Sequence, residues 1–255
     1  MNLAQKITGT IHKIRYNNPF VNGYYKKKRE ELLNKEFLAS DGYHELMTQH
    51  SSSNFISFKN DAEKRSQNFM FRHMKFHKIL GGWRWKVMWE KRDLLVNTIY
   101  NPNLRGIDFG GANGPVSLHT DIVDFALTDS FNRKVKYNSF DSLDFQADFL
   151  YSSHTLEHVP NLDEVFEMMK KNLKPGAKLF LHVPAYTCTR WRSGVHENKK
   201  FNDHAWTFHL ANDVPQGDMI NLHAFDTTVA NHFTIESAEY VGDNSIFVVA
   251  KNNKK

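Results

Sequence analysis

The chain has 255 residues, 40% of them hydrophobic and 24% charged, with a formal net charge of +5. That balance belongs to a globular protein able to bury a sizeable core rather than to a disordered tail. Its single cysteine, Cys188, excludes an internal disulfide framework and any all-cysteine metal site, and fits a reducing, cytoplasmic setting. The opening Met1-Asn-Leu-Ala-Gln-Lys6 lacks the long apolar core of a signal peptide, and no run approaches the roughly 18 apolar residues that a membrane span needs.

Charge divides the chain. Residues 1–100 carry 18 Lys and Arg against 9 Asp and Glu, and the remainder 15 against 19. A basic first part joined to a mildly acidic second part implies two units: a basic helical extension over 1–103 and a second domain over 104–255. The basic unit is either a solvated surface or an attractor of phosphate-bearing partners, nucleic acid among them.

In chain order, Lys26-Lys-Lys-Arg29 leads into Glu30-Glu-Leu-Leu33, which reads as an exposed helix with a short apolar stripe. Phe69, Met70, Phe71 and Met74 give a second helix over 61–74 its buried side. Trp85 and Trp89 fall four apart in a stretch that interleaves aromatic and basic residues. They share one helical face, suited to packing and, as an alternative, to stacking on a ligand. Asn101-Pro102-Asn103 marks the boundary.

Beyond the boundary, strands alternate with helix. Strands are expected over 104–109, 120–124, weakly over 134–137, then over 148–153 and 178–184. A helix over 162–173 places Val165, Phe166, Met169 and Leu173 on one side, and Lys174-Pro175-Gly176 stops it. Runs over 234–241 and 245–250, separated by Gly242-Asp-Asn244, form a hairpin. The order predicts an α/β fold whose mostly parallel sheet is closed by an antiparallel hairpin.

The densest signal is Arg105-Gly-Ile-Asp-Phe-Gly-Gly-Ala-Asn-Gly-Pro115. A strand that ends in an acid and opens into a glycine turn suits a nucleotide pocket at the carboxyl edge of a parallel sheet. A dinucleotide fingerprint would place glycines at 112 and 115, where this chain has Ala112 and Pro115.

Three stretches together carry a family resemblance: Asp108-x-Gly110-x-Ala112-x-Gly114, then Phe149-Leu-Tyr-Ser-Ser-His-Thr-Leu-Glu-His-Val159, then Asn172-Leu-Lys-Pro-Gly-Ala-Lys-Leu179. In this order, and with the terminal hairpin, residues from about 104 to 250 resemble class I S-adenosylmethionine-dependent methyltransferases, including the short O-methyltransferases of sugar and polysaccharide pathways. The resemblance implies a Rossmann-like sheet with S-adenosylmethionine as cofactor. It assigns Asp108, Gly110, Gly111 and Gly114 to the cofactor loop. It gives Asp121 to the ribose hydroxyls with Asp124 as the second choice, Asp141 to the adenine with Asp144 competing, and Ser153 to the cofactor pocket. An ionised carboxylate only accepts hydrogen bonds and so pairs with a diol. Six residues separate Gly114 from Asp121, too few for an ordinary crossover helix, so that helix should be vestigial or replaced by a tight loop.

His154, Glu157 and His158 share one face of a turn. Such a set either stabilises the helix start and pocket floor, the favoured reading, or holds a divalent metal with a further histidine, His196 or His204. The segment 185–210 is polar and contains Arg190, Trp191, Arg192 and Asp203-His-Ala-Trp206. Aromatic faces beside hydrogen-bonding groups suit a carbohydrate acceptor. A sugar hydroxyl must lose its proton as it attacks the methyl carbon, and His204, His158 and His154 are the candidate bases. The sequence therefore points to an O-methyltransferase acting on a nucleotide-linked or polysaccharide sugar. An RNA 2′-O-methyltransferase and a non-catalytic binding module on the same fold are the alternatives.

Overall fold

A computed structural model of the chain describes residues 87, 91–99, 101, 103–116, 120–129, 134–194, 203–242 and 244–253. The predicted helices over 26–33, 61–74 and 83–89 lie outside these residues, apart from Val87.

The first described helix is α1 (Arg92–Ile99). Strands β1 (Gly106–Phe109), β2 (Asp121–Val123), β3 (Ala147–Ser153) and β4 (Leu173–Pro184) follow, with helix α2 (Leu162–Asn172) between β3 and β4. Then come β5 (Thr207–His209), β6 (Leu222–Ala224), helix α3 (Phe225–His232), β7 (Thr234–Val241) and β8 (Ser245–Lys251). Six strands form one sheet in the order β2-β1-β3-β4-β8-β7. The first four run parallel, while β8 lies antiparallel to both β4 and β7. β5 and β6 form a separate two-stranded parallel ladder. This is a Rossmann-like α/β fold with an antiparallel C-terminal hairpin, as the element order predicts.

Alternation along the strands sets the layers, because successive side chains leave a strand on opposite faces. Leu150, Leu179, Leu181, Ile246 and Val248 pack with Phe166 and Met169 of α2 and Phe225 and Val229 of α3. The intervening Phe149, Tyr151, Phe180, Phe247 and Val249 pack with Val87 and with Leu95 and Ile99 of α1. Covering both faces explains why these strands read as nearly continuous apolar runs. Local chemistry starts α2: the Asn161 side chain accepts from the Glu164 backbone N–H at 3.2 Å, and Asp163 and Glu164 occupy the first turn, where negative charge favours the helix dipole.

Two expected elements differ. The predicted strand over 134–137 shrinks to one parallel bridge from Tyr137 to Val123, because Lys134 bridges antiparallel to Thr128 and turns the segment away from the sheet edge. The helix predicted to stop at Lys174-Pro175-Gly176 ends at Asn172, and the chain passes directly into β4. The expected shortening of the first crossover is observed. Among the described residues between β1 and β2 the only helical turn is a single 3-10 turn, Gly111–Asn113.

Candidate active site

Parallel strands β1, β2, β3 and β4 present their carboxyl ends along one edge, the usual ligand edge of such sheets. On one side of that edge lies the glycine loop. The Asp108 carboxylate is buried beneath it and its Oδ2 accepts from the Val116 N–H at 2.7 Å. Gly110 donates its N–H to the Val123 carbonyl at 2.9 Å and has φ 76°. A Cβ at Gly110 would fall 1.9 Å from Thr155 Oγ1, and one at Gly111 would fall 2.2 Å from the Asp108 carboxylate. Both positions therefore require glycine for space, and Gly110 also for its left-handed backbone. Gly114 closes the turn by donating to the Gly111 carbonyl at 3.0 Å.

The acids after the loop separate by strand end. Asp121 stands at the amino end of β2 opposite Ile107, and its Oδ2 accepts from Arg105 Nε at 2.8 Å. Asp124 follows the carboxyl end of β2. Its Oδ2 accepts from the Ala112 N–H at 3.1 Å, and its Oδ1 from the Ala126 N–H at 2.9 Å. Asp124, not Asp121, thus adjoins the glycine loop. Asp141 is exposed on a 3-10 turn with Lys171 Nζ 3.9 Å away. Asp144 accepts from the Tyr137 hydroxyl, which holds its carboxyl below the ordinary carboxylate range.

On the other side of the edge lies a cluster of imidazoles. Ser153, at the carboxyl end of β3, is buried with its Oγ 3.0 Å from Nδ1 of His182 on β4. His154 turns the chain out of the strand with φ 53°, and its N–H donates to the His182 carbonyl at 2.8 Å. The next turn, Leu156–His158, buries Glu157 completely. Glu157 Oε1 lies 3.2 Å from His154 Nδ1 and 3.9 Å from both His158 Nε2 and His204 Nε2. One donor atom each from Glu157, His158 and His204 comes within 4.8 Å of the others. His196 is outside the described residues.

Residues far along the chain complete this side. Ala205 donates its N–H to the Glu157 carbonyl at 2.7 Å, and Trp206 Nε1 donates to the Val159 carbonyl at 2.7 Å. These bonds set Asp203 and His204 beside the turn, with Asp203 Oδ1 2.7 Å from His158 Nδ1. The His204 ring meets His158 edge-on at 4.6 Å and stacks on Trp191 at 5.3 Å. Burial and the neighbouring His158 push the His204 pKa down to about 4, so the ring is neutral in ordinary conditions and holds a proton weakly. Arg192 Nε donates to the Tyr186 carbonyl at 2.5 Å, and the Arg190 side chain is outside the described set. The sequence singles out neither His182 nor the pairing of Asp203 with His158. The former has a local signal, a lone imidazole near the end of the apolar run Leu179-Phe-Leu-His-Val183.

The two sides touch, since Thr155 Oγ1 packs on Gly110 and donates to the Phe109 carbonyl at 3.2 Å. A glycine loop over a buried acid, a carboxylate at the next strand end and a polar edge beyond fit a class I S-adenosylmethionine-dependent methyltransferase. The chain belongs to the methyltransferase-domain family, whose model matches residues 86–232, more than half its length. No curated protein matches it in sequence. Among solved structures it is similar to the PH0226 protein from Pyrococcus horikoshii OT3, at 15% identity and TM-score 0.46, over 67% of this chain and 91% of that one. It is also similar to a S-adenosylmethionine-dependent methyltransferase from Clostridium acetobutylicum ATCC 824, at 12% identity and TM-score 0.43, over 64% and 90%. A third is the N-methyltransferase NodS from Bradyrhizobium japonicum WM9 in complex with S-adenosyl-L-homocysteine, at 12% identity and TM-score 0.38, over 59% and 78%. At these identities and scores nothing about substrate passes from those proteins to this chain. Among the described residues no helix is long and apolar enough to cross a membrane.

Proposed function

We propose that the protein methylates a hydroxyl of a sugar, either nucleotide-linked or within a surface polysaccharide, in the cytoplasm. The observation that carries this reading is the polar edge itself. His154, Glu157, His158 and His204 gather at the exit of β3 with Trp191 stacked on His204, beside the loop that would face the cofactor. Indole and imidazole surfaces next to hydrogen-bonding atoms suit the apolar faces and polar rims of sugar rings. A hydroxyl acceptor also needs a group to take its proton, and imidazoles supply one without a metal.

The residues fit the cofactor. Asp108, Gly110, Gly111 and Gly114 form the loop that would take its amino-acid end. Asp124, already holding two backbone N–H groups, keeps acceptor capacity for the ribose diol. We assign the ribose to Asp124 in preference to Asp121, whose carboxylate is committed to Arg105 at the opposite end of β2. When bound, S-adenosylmethionine supplies an electrophilic methyl carbon on a sulfonium, whose C–S electron pair returns to sulfur as the acceptor oxygen takes the methyl. The protein's own part is alignment, exclusion of water from the buried Glu157 side, and removal of the hydroxyl proton.

The test is transfer of labelled methyl from S-adenosylmethionine to three panels: nucleotide-linked sugars, polysaccharide fragments and RNA. Label in a sugar ether supports the reading. Label confined to RNA would replace it with the 2′-O-methyltransferase alternative, which the basic residues 1–100 favour. Failure of calorimetry to detect S-adenosylhomocysteine binding would favour a non-catalytic module.

A further inference from the structure

Resting on the hydroxyl-acceptor reading, we infer that His158 is the proton acceptor and that Asp203, outside the motifs that define the fold, is its positioning residue. The two reach each other from 45 positions apart in the chain, through the backbone bond from Ala205 to Glu157, and Asp203 Oδ1 stands 2.7 Å from His158 Nδ1. A carboxylate only accepts, so Nδ1 must carry the proton it shares. That fixes the tautomer and leaves the Nε2 lone pair as the basic site. Nε2 lies 3.9 Å from Glu157 Oε1, beyond hydrogen-bonding distance. Among the described residues, the charged and titratable groups around the ring are Asp203, Glu157 and His204.

The other imidazoles suit the role less well. His204 is 4% exposed at its side chain and binds a proton weakly, and His154 is 7% exposed with Nδ1 against Glu157. His158 is 38% exposed, so it can meet an acceptor and afterwards give its proton to water. In the step, Nε2 takes the hydroxyl proton while the oxygen forms its bond to the methyl carbon and the C–S pair goes to sulfur. The imidazolium that results is stabilised by Asp203. An oriented base with a carboxylate behind it is the general arrangement for activating a hydroxyl.

The tautomer can be read without any acceptor, so this inference fails separately from the sugar reading. Imidazole nitrogens of the full-length protein would be observed by 15N NMR above the titration range, with His158→Gln assigning the signal. The expected result is His158 protonated at Nδ1 in the parent and shifted toward Nε2–H, the preference of free imidazole, in Asp203→Ala. Asp203→Glu should restore the Nδ1–H form, and calorimetric binding of S-adenosylhomocysteine should stay unchanged in all three variants. An Nε2–H tautomer in the parent, or one indifferent to Asp203→Ala, would overturn the assignment.

Discussion

The two sides of the carboxyl edge are built on different plans. The proposed cofactor side is made of backbone and carboxylate within one short stretch: Asp108 under the loop, Gly110 against Thr155, Asp124 at the next strand end. The proposed acceptor side is made of imidazole, indole and carboxylate gathered from the exit of β3, from β4 and from the segment after it: His154, Glu157, His158, His182, Trp191, Asp203 and His204. The first plan is rigid, because the backbone is hydrogen-bonded and a Cβ added at Gly110 or Gly111 would clash. The second depends on pairings between side chains, which is where substrate choice can change while the fold stays fixed.

That contrast predicts different failures on the two sides. The largest effect belongs to the loop. Gly110→Val would put a branched side chain at φ 76° and into Thr155, costing at least about 1–3 kcal/mol in backbone strain alone before the clash. Calorimetry should detect no cofactor binding and the melting temperature should drop. A variant that binds normally would show that the loop is not the cofactor cradle. On the acceptor side, His158→Gln should leave binding intact and lower turnover by about 10²–10⁴, the usual contribution of a general base. Equal loss of binding and turnover would merge the two sides into one.

A third effect concerns pH. The folded pKa of His204 is depressed to about 4 from 6.5, so between those values the unfolded chain binds more protons. Stability should be complete above about pH 6.5, fall as the pH drops toward 4, and level off below, a loss of roughly 3 kcal/mol. Denaturant melts of His204→Gln should show a shallower acid slope than the parent; identical slopes would mean that the ring is not held neutral. Smaller still, Asp124→Asn should weaken S-adenosylhomocysteine by about 1.5–3 kcal/mol, the worth of hydrogen bonds to a charged group. The smallest effect is that of Asp121→Asn, which should leave that affinity unchanged and cost less than about 1 kcal/mol of stability, since its partner Arg105 is half exposed. A reversal of those two affinities would return the ribose to Asp121.

The sequence by itself determined the six strands of the main sheet, the glycine loop and the hairpin, because those rest on local rules; it missed the short β5 and β6 and overextended the segment 134–137. Alternation and apolar runs mark β3, β4, β7 and β8, and Gly110 announces a backbone that tolerates no side chain. It also flagged His154, Glu157 and His158, which lie within one turn. Choosing between Asp121 and Asp124 required the strand register, since three residues decide whether a carboxylate stands at the amino or the carboxyl end of β2. Only the tertiary structure joined Asp203 to His158, set His182 against Ser153 and buried His204 on Trp191. Those contacts join distant parts of the chain: the register of β3 on β4 sets Ser153 against His182, and the packing and hydrogen bonding of the segment after β4 onto the exit of β3 holds the others. No local pattern of residues encodes such a meeting.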